Sequence, residues 1–158
     1  MGQLSHLDED GQARMVDVAG KELTDREATA SCTVWMSSET ASQVVDGTLP
    51  KGDVASVVRL AGIQAAKRTP ELIPLCHQVA LTSVDVELDV EVATGMATIT
   101  AIARATDRTG VEMEALTAAS VAALALYDMV KGVQRDVLIT DLKLLAKSGG
   151  RSGDWTAD

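Results

Sequence analysis

The fold is decided by residues 82–106, TSVDVELDVEVATGMATITAIARAT. In the first half of this stretch valine and leucine alternate with aspartate and glutamate. Because successive side chains of a strand point to opposite faces, this period of two predicts a half-buried strand over Thr82–Val92 with one solvated, acidic face. The Ala-Thr-Gly turn that follows predicts that Met96–Thr106 returns as an antiparallel strand.

Helical patterns lie on both sides of this hairpin. Ser37–Asp46 and Asp53–Lys67 each begin with a residue suited to an N-cap, and Thr69-Pro70 predicts another helix start, a cap followed by proline. The strongest helix is predicted over Val111–Lys131. Its stretch Ala115–Met129 is apolar on nearly all sides, which predicts a buried helix, at a subunit interface.

Further strands complete an α+β sandwich. Glu27–Met36 has no glycine or proline and predicts a strand, and Asp136–Thr140 and Lys143–Lys147 predict two short ones. Met1–Gly11 is polar and is predicted to be mobile, and the glycine-rich Ser148–Asp158 to be disordered. No repeat or linker divides the 158 residues, which predicts one domain.

The composition narrows the class of function. Aromatic residues make up 2% of the chain and phenylalanine is absent, so the core must be built from small aliphatic side chains. The net charge of −9 argues against a nucleic-acid partner and against an anionic membrane surface. Cys32 and Cys76 have no metal-ligand spacing, and no apolar signal region begins the chain, which favours a cytoplasmic protein without a protein-bound metal.

Several polar residues stand in apolar surroundings, and each has an ordinary alternative. His77 follows the apolar stretch LIPLC and is either a structural histidine or an acid/base group. Lys51 lies in the loop GTLPKG and is either a solubilising residue or a phosphate ligand. Asp128 and Lys131 are spaced for a simple helical ion pair, yet a charge after a long apolar run is costly unless it has a partner or a use.

Weaker candidates flank these residues. Glu112 and Glu114 suit the N-terminus of a helix, where the helix dipole favours acids, and Met113 lies between them. Lys147 precedes a glycine-rich segment of the kind that binds anions or simply forms a flexible tail. Further positive charge is available from Arg26, Lys67 and Arg68.

Together these segments resemble a known family. The chain is similar to the cyclic pyranopterin monophosphate synthase accessory-protein family (MoaC) from about Leu4 to Trp155. The resemblance is carried by MVDV (15–18), KGDV (51–54), AGIQAAKRTPELIPLCH (61–77), TGVEMEALTAASVAAL (109–124), YDMVK (127–131) and LLAKSGGRSGDW (144–155).

The resemblance implies a fold, an assembly and a reaction. The expected fold is ferredoxin-like, and the expected assembly is a homohexamer, a trimer of dimers with sites at dimer interfaces. The expected reaction converts (8S)-3′,8-cyclo-7,8-dihydroguanosine 5′-triphosphate into cyclic pyranopterin monophosphate and pyrophosphate, in molybdenum cofactor biosynthesis. A separate radical GTP cyclase would supply the substrate, since this chain lacks the cysteine triad of such an enzyme.

The resemblance also implies the site residues. Asp128 and Lys131 are expected to act as the acid/base pair, with Lys51 assisting from its loop. The remaining catalytic and substrate-binding positions are Leu75, Cys76, His77, Glu112, Met113, Glu114 and Lys147. His77, Met113 and Glu114 would hold the substrate, Glu112 would orient its neighbours and Lys147 would face phosphate. A divalent cation on the triphosphate is compatible with this set, and no other cofactor is expected. One departure is Gln78, where the family commonly has proline.

Helix geometry adds an expectation about assembly. Glu112 and Asp128 are sixteen positions apart, so a continuous helix would separate them by roughly 24 Å, too far for one reacting centre. We therefore expect each site to take Glu112 and His77 from one chain and Asp128 and Lys131 from a neighbour. The rival hypothesis is a non-catalytic, nucleotide-sensing oligomer of the same fold.

Overall fold

The computed structural model describes residues 7, 8 and 10–158, and most of the predicted mobile segment at the N-terminus lies outside this range. In it, Leu7 and Ala13 form an isolated antiparallel bridge. The elements in chain order are β1 (Thr24–Trp35), α1 (Ser38–Asp46), α2 (Val54–Lys67), α3 (Thr69–Leu72), β2 (Leu81–Glu91), β3 (Met96–Asp107), α4 (Glu112–Val130), β4 (Leu138–Ser148) and β5 (Trp155–Thr156).

The elements form one antiparallel five-stranded sheet in the order β2-β3-β1-β4-β5. The predicted hairpin is confirmed as β2 and β3, which pair in register from Glu91 opposite Met96. Val86 on β2 is buried while the acidic residues between the apolar ones are exposed, as the period of two predicts. Up to β4 the chain runs β1-α1-α2-α3-β2-β3-α4-β4, and the α+β prediction is confirmed.

Alanine dominates the contact between the sheet and α4. The alanines at inward positions of β1, β3 and α4 are at most 3% exposed; they are Ala28, Ala30, Ala97, Ala101, Ala103, Ala105, Ala115, Ala118, Ala119, Ala122 and Ala123. Ile99 and Leu126 are the largest fully buried side chains. Because methyl groups occupy little space, helix and sheet backbones approach closely, as the absence of phenylalanine suggests.

Helix α4 is continuous and buried inside its own chain. By length and hydropathy it would suit a membrane span, yet it packs on β1, β3, β4 and α2. Ten of its nineteen residues are buried, and Leu124 is the most exposed of its large apolar side chains. The sheet and α2 therefore cover much of the apolar surface of α4, and a subunit interface at the remaining face, where Leu124 is exposed, stays a prediction.

The helix starts follow local hydrogen bonding. Ser37 accepts a hydrogen bond from the Thr40 N–H, and Asp53 accepts one from the Ser56 N–H, so both predicted N-caps are confirmed. The predicted cap at Thr69 is wrong. Thr69 is the buried first residue of α3, and its hydroxyl donates back to the carbonyl of Ala65.

Strands β1 and β4 differ from their predicted boundaries. β1 begins at Thr24 rather than at residue 27. The two predicted strands after α4 are one strand, β4, whose pairing with β1 shifts at two irregularities. Asp141, which separated the two predicted strands, has a φ of 52° at one of them. A bulge thus breaks the period of two without ending the strand.

The predicted disorder of the C-terminal segment is also wrong. After β4, residues 149–154 turn back and β5 pairs with Ala146 and Lys147. Asp154 closes the turn by accepting a hydrogen bond from the Gly149 N–H. Gly149 has a φ of 88°, and a Cβ there would collide with the carbonyl oxygen of Asp25, so the glycine serves a defined turn.

Candidate functional site

Lys51, Asp128 and Lys131 form one ion-pair cluster. The Lys51 ammonium lies 2.8 Å from Asp128 Oδ2 and also donates to the Asp128 carbonyl at 2.6 Å. The Lys131 ammonium lies 2.6 Å from Asp128 Oδ1. The structure therefore brings together three of the predicted catalytic residues, one of them from a loop 77 positions away.

Local structure explains how Lys51 reaches the end of α4. Gly47 ends α1 in the left-handed conformation, and Gly52 has a φ of 88°. Between them, Leu49 is only 4% exposed and anchors the loop in the core. The predicted loop is thus held at its centre, and Lys51 projects from it toward the last turn of α4.

The two ammonium groups change the acidity of Asp128. Hydrogen bonds from Lys131 and then from Lys51 lower the pKa of Asp128 to about 2. The carboxylate in turn raises the pKa of Lys131. At neutral pH this cluster consists of one carboxylate that aligns two cations, and all three side chains are 42–55% exposed.

A second group of predicted residues surrounds a cavity of about 260 Å³ at the opposite end of α4. Its lining includes Leu75, Cys76, His77, Glu112, Met113 and Glu114. Val16 and Val18 from the N-terminal segment also line it. The cavity therefore combines apolar walls with a few polar groups, as small-molecule sites do.

His77 is held by the N-terminal segment. Its Nε2 lies 2.6 Å from the Val16 carbonyl oxygen, which accepts a hydrogen bond when Nε2 carries the proton. Gln78 is exposed and lies in the stretch without helix or strand, residues 73–80, that leads into β2. The substitution of the family's usual proline therefore leaves His77 in the cavity.

Burial raises the pKa of two of the titratable groups that line this cavity, Glu114 and Cys76. Glu114 is 3% exposed, and burial, assisted by the charges of Glu112 and Asp107, raises its pKa to about 7. Burial, and then the charge of Glu114, raises the pKa of the Cys76 thiol. At neutral pH Glu114 can thus either donate or accept a hydrogen bond, while Cys76 stays a thiol and packs as an apolar wall.

Lys147 belongs to a third place, a larger cavity of about 660 Å³ next to the first. Glu112 lines both cavities, together with Lys21, Thr109 and Gly110. Sequence reasoning singled out Arg26, which lines the larger cavity, but missed Lys21, Arg108 and Arg151. Arg151 could have been found from its place in the glycine-rich segment after Lys147, but that segment was predicted to be disordered. Lys67 and Arg68 line neither cavity.

The predicted site residues therefore fall into two separate regions of one chain, the ion-pair cluster and the pair of adjoining cavities. Because α4 is continuous from Glu112 to Val130, its rise separates Glu112 from Asp128 by roughly 24 Å. The two regions do not form one reacting centre within a chain. Among the described residues, no group of three or more histidine, cysteine, aspartate and glutamate side chains could hold a metal ion.

The sequence matches the model of the MoaC family over residues 15–150. The chain belongs to the MoaC family. The match includes Lys51, Asp128 and Lys131 of the ion-pair cluster and every residue of the smaller cavity. Membership in the MoaC family gives the chain a role in molybdenum cofactor biosynthesis.

Proposed function

We propose that the chain is a cyclic pyranopterin monophosphate synthase. Its substrate is (8S)-3′,8-cyclo-7,8-dihydroguanosine 5′-triphosphate, and its products are cyclic pyranopterin monophosphate and pyrophosphate. The reaction opens the imidazole part of the purine, rebuilds it as a pterin and closes a cyclic phosphate. These steps require proton transfers and neutralisation of phosphate charge, for which lysine, histidine and carboxylate side chains are suited.

The observation that carries this proposal is the grouping of the polar residues. His77, Glu112 and Glu114 line the same cavity as the apolar Leu75 and Met113. Such a lining suits a flat heterocycle with hydrogen-bonding edges. Glu114, with a pKa of about 7, can match either a donor or an acceptor on that edge as the ring system is rebuilt.

The ion-pair cluster supplies the proton chemistry. Because the pKa of Asp128 is about 2, its carboxylate stays ionised and positions the two lysines rather than carrying a proton itself. Lys51 and Lys131 then donate protons and stabilise the charge that develops on the leaving pyrophosphate. The sequence-based expectation made Asp128 and Lys131 the acid/base pair. In this proposal the two lysines, Lys51 and Lys131, carry the protons instead.

The two regions work together when chains assemble. Glu112 and Asp128 lie at opposite ends of a continuous helix, so we propose that each site joins the cavity of one chain to the ion-pair cluster of a neighbour. A homohexamer, a trimer of dimers with two related sites per dimer, satisfies this requirement, and the cytoplasm is the expected compartment.

The test is pyrophosphate release from the cyclised substrate. The purified protein should release one pyrophosphate for each cyclic pyranopterin monophosphate formed, measured by a coupled pyrophosphate assay and by chromatography of the product. Binding of the substrate without release of pyrophosphate would contradict the proposal and favour the rival function, a nucleotide-sensing oligomer.

A further inference from the structure

A strap, residues 14–18, contributes part of the wall of the smaller cavity. It contains the MVDV motif and has neither helix nor strand. Half-buried Val16 and Val18 alternate along it with exposed Met15 and Asp17, and both valines line the cavity. Because successive side chains of an extended chain point to opposite sides, the strap turns its valines toward the cavity and its other side chains toward solvent.

The strap is attached to the body of the chain at one point. Within the part that the structure describes, one hydrogen bond joins it to a residue outside the N-terminal segment, between His77 Nε2 and the Val16 carbonyl oxygen at 2.6 Å. The next such bond lies beyond the strap, where Arg108 Nε donates to the Lys21 carbonyl at 3.1 Å. Pairing with the sheet begins only at Thr24. The position of the strap therefore depends on His77.

The same hydrogen bond decides which nitrogen of His77 carries the proton. A carbonyl oxygen can only accept, so Nε2 must donate to Val16. In the neutral imidazole the other nitrogen, Nδ1, is then an acceptor. Nδ1 forms no hydrogen bond with a described residue, and His77 lines the smaller cavity. The ring thus has one nitrogen bound to the strap and one acceptor left for a ligand.

The other polar groups of this cavity suit the same kind of ligand. The carboxyl groups of Glu112 and Glu114 are further acceptors, and Lys21 is the one cationic side chain among the described lining residues. A ring that presents N–H groups finds partners in such a lining. The methyl groups of Val16 and Val18 supply an apolar surface for its face.

We infer that the strap is a positioning element for His77. The Val16 carbonyl holds the imidazole in its Nε2–H form, so that Nδ1 accepts a hydrogen bond from an N–H of the bound heterocycle. Val16 and Val18 pack against that ring. The nature of the heterocycle rests on the proposed function, whereas the state of His77 in the free protein does not. His77 is then structural through one nitrogen and contacts the ligand through the other.

The first test observes the imidazole in the free, full-length protein by nuclear magnetic resonance. The chain has two histidines, so in a His6→Gln protein with isotope-labelled histidine every ring signal belongs to His77. At about pH 8 we expect an unprotonated Nδ1 and a proton on Nε2 that exchanges slowly with water. A proton on Nδ1, or an Nε2 proton that exchanges as fast as that of free imidazole, would overturn the inference.

Two amide substitutions separate the roles of the two nitrogens. The glutamine amide reaches the position of Nε2 and the asparagine amide that of Nδ1, so only His77→Gln keeps a donor for the Val16 carbonyl. Trypsin cleavage after the exposed Arg14 measures release of the strap, and cleavage after the exposed Arg135 is the internal control. His77→Asn should be cut at Arg14 about fivefold faster than His77→Gln, since one hydrogen bond is lost. Equal rates in the two variants would contradict the latch.

Binding of GTP, a probe that carries a guanine ring, tests the contact of Nδ1 with the ligand. Titration calorimetry should show about a tenfold loss of affinity in His77→Gln, which keeps the strap in place but lacks the acceptor. Val16→Ala removes methyl groups from the wall and should weaken binding about fivefold, whereas Met15→Ala, its exposed neighbour, should bind as the unaltered chain does. Circular dichroism and the melting temperature verify folding, and unchanged affinity in folded His77→Gln would overturn the inference.

These tests separate the inference from the proposed function. If the chain releases pyrophosphate but the His77 proton lies on Nδ1, the inference fails and the proposed function stands. If the Nε2 proton is protected and His77→Gln binds GTP weakly, yet no pyrophosphate is released, the proposed function fails and the inference stands.

Discussion

Glu114 is a buried acid whose protonation is coupled to folding. Its pKa is about 7 in the folded chain and near the ordinary value of 4.5 in the unfolded chain. Between these two values the folded state binds more protons than the unfolded state, so the free energy of unfolding falls as the pH rises from about 4.5 to 7. Above pH 7 Glu114 is ionised in both states, so burial of the carboxylate lowers the free energy of unfolding by its full amount.

Replacing Glu114 by glutamine should remove this penalty. Glu114→Gln keeps the shape of the side chain but cannot ionise. The free energy of unfolding of the variant minus that of the unaltered chain should therefore be larger at pH 8 than at pH 5, by on the order of 3 kcal/mol for a shift of this size. Urea unfolding at the two pH values measures the difference. Exposed Glu87 supplies the control variant, Glu87→Gln, and an equal effect of both substitutions would contradict the argument.

Lys51 gives a prediction that separates activity from stability. Its side chain is 42% exposed and its ion pair with Asp128 is solvated, so Lys51→Ala should change the melting temperature by only a few degrees. Release of pyrophosphate should nevertheless fall at least about a hundredfold, because a positioned proton donor is lost. Lys143→Ala, an exposed change on β4, is the control, and near-normal turnover of Lys51→Ala would remove Lys51 from the mechanism.

The packing of α2 on α4 depends on one glycine. A Cβ at Gly62 would lie 2.9 Å from Val86 Cγ2 and 3.1 Å from the carbonyl oxygen of Ala118. The backbones of the two helices are therefore in near contact, which a side chain would push apart. A glycine in the middle of a helix is otherwise unfavourable, so its presence here reflects packing.

Gly62→Ala should therefore destabilise the chain although alanine is the better helix former. Overpacking costs roughly 1–3 kcal/mol and the gain in helix propensity offsets about 1 kcal/mol of it. Gly132→Ala is the matched control, since nothing lies within 4 Å of a Cβ at that position. Thermal unfolding measures both variants, and equal or higher stability of Gly62→Ala would show that α2 can move away from α4 at little cost.

Element boundaries could be predicted where one local signal decided them. The period of two fixed the β2–β3 hairpin, and the serine and aspartate caps fixed the starts of α1 and α2. The sequence could not predict β4 as one strand, because the bulge at Asp141 breaks its alternation. Nor could it predict the ordered tail, because the glycines that suggest disorder instead permit a turn against Arg26.

At the scale of the whole molecule, the site residues could be named from the sequence but their grouping could not. Family resemblance supplied the residues, and helix spacing predicted that Asp128 and Lys131 meet. The contact of Lys51 with Asp128 and the joining of the 75–77 and 112–114 segments in one cavity depend on tertiary packing. Local periodicity carries no information about such contacts.

If each site is built from two chains, mixing two inactive variants should restore activity. His77→Ala damages the cavity of its chain and Asp128→Ala damages the ion-pair cluster of its chain. After subunit exchange between them, some assemblies would contain a site that joins an intact cavity to an intact cluster, so release of pyrophosphate should partly return. Native mass spectrometry verifies the exchange.

A second mixture controls this experiment. Asp128→Ala and Lys131→Ala both damage the same cluster, which lies within one chain, so their mixture should stay inactive whatever the exchange. If verified exchange of the His77→Ala and Asp128→Ala proteins restores no activity, or if an isolated monomer is fully active, the composite site is contradicted.

The alanine contact between the sheet and α4 has a consequence for sequence drift. At a position such as Ala101 or Ala119, every single-residue replacement except glycine adds atoms, and neither position has room for them. Random mutation of this core is therefore almost always enlargement, the opposite of a core rich in leucine and phenylalanine. A library that permits all residues at these positions should return chiefly alanine, glycine and serine, while the surface around them diversifies freely.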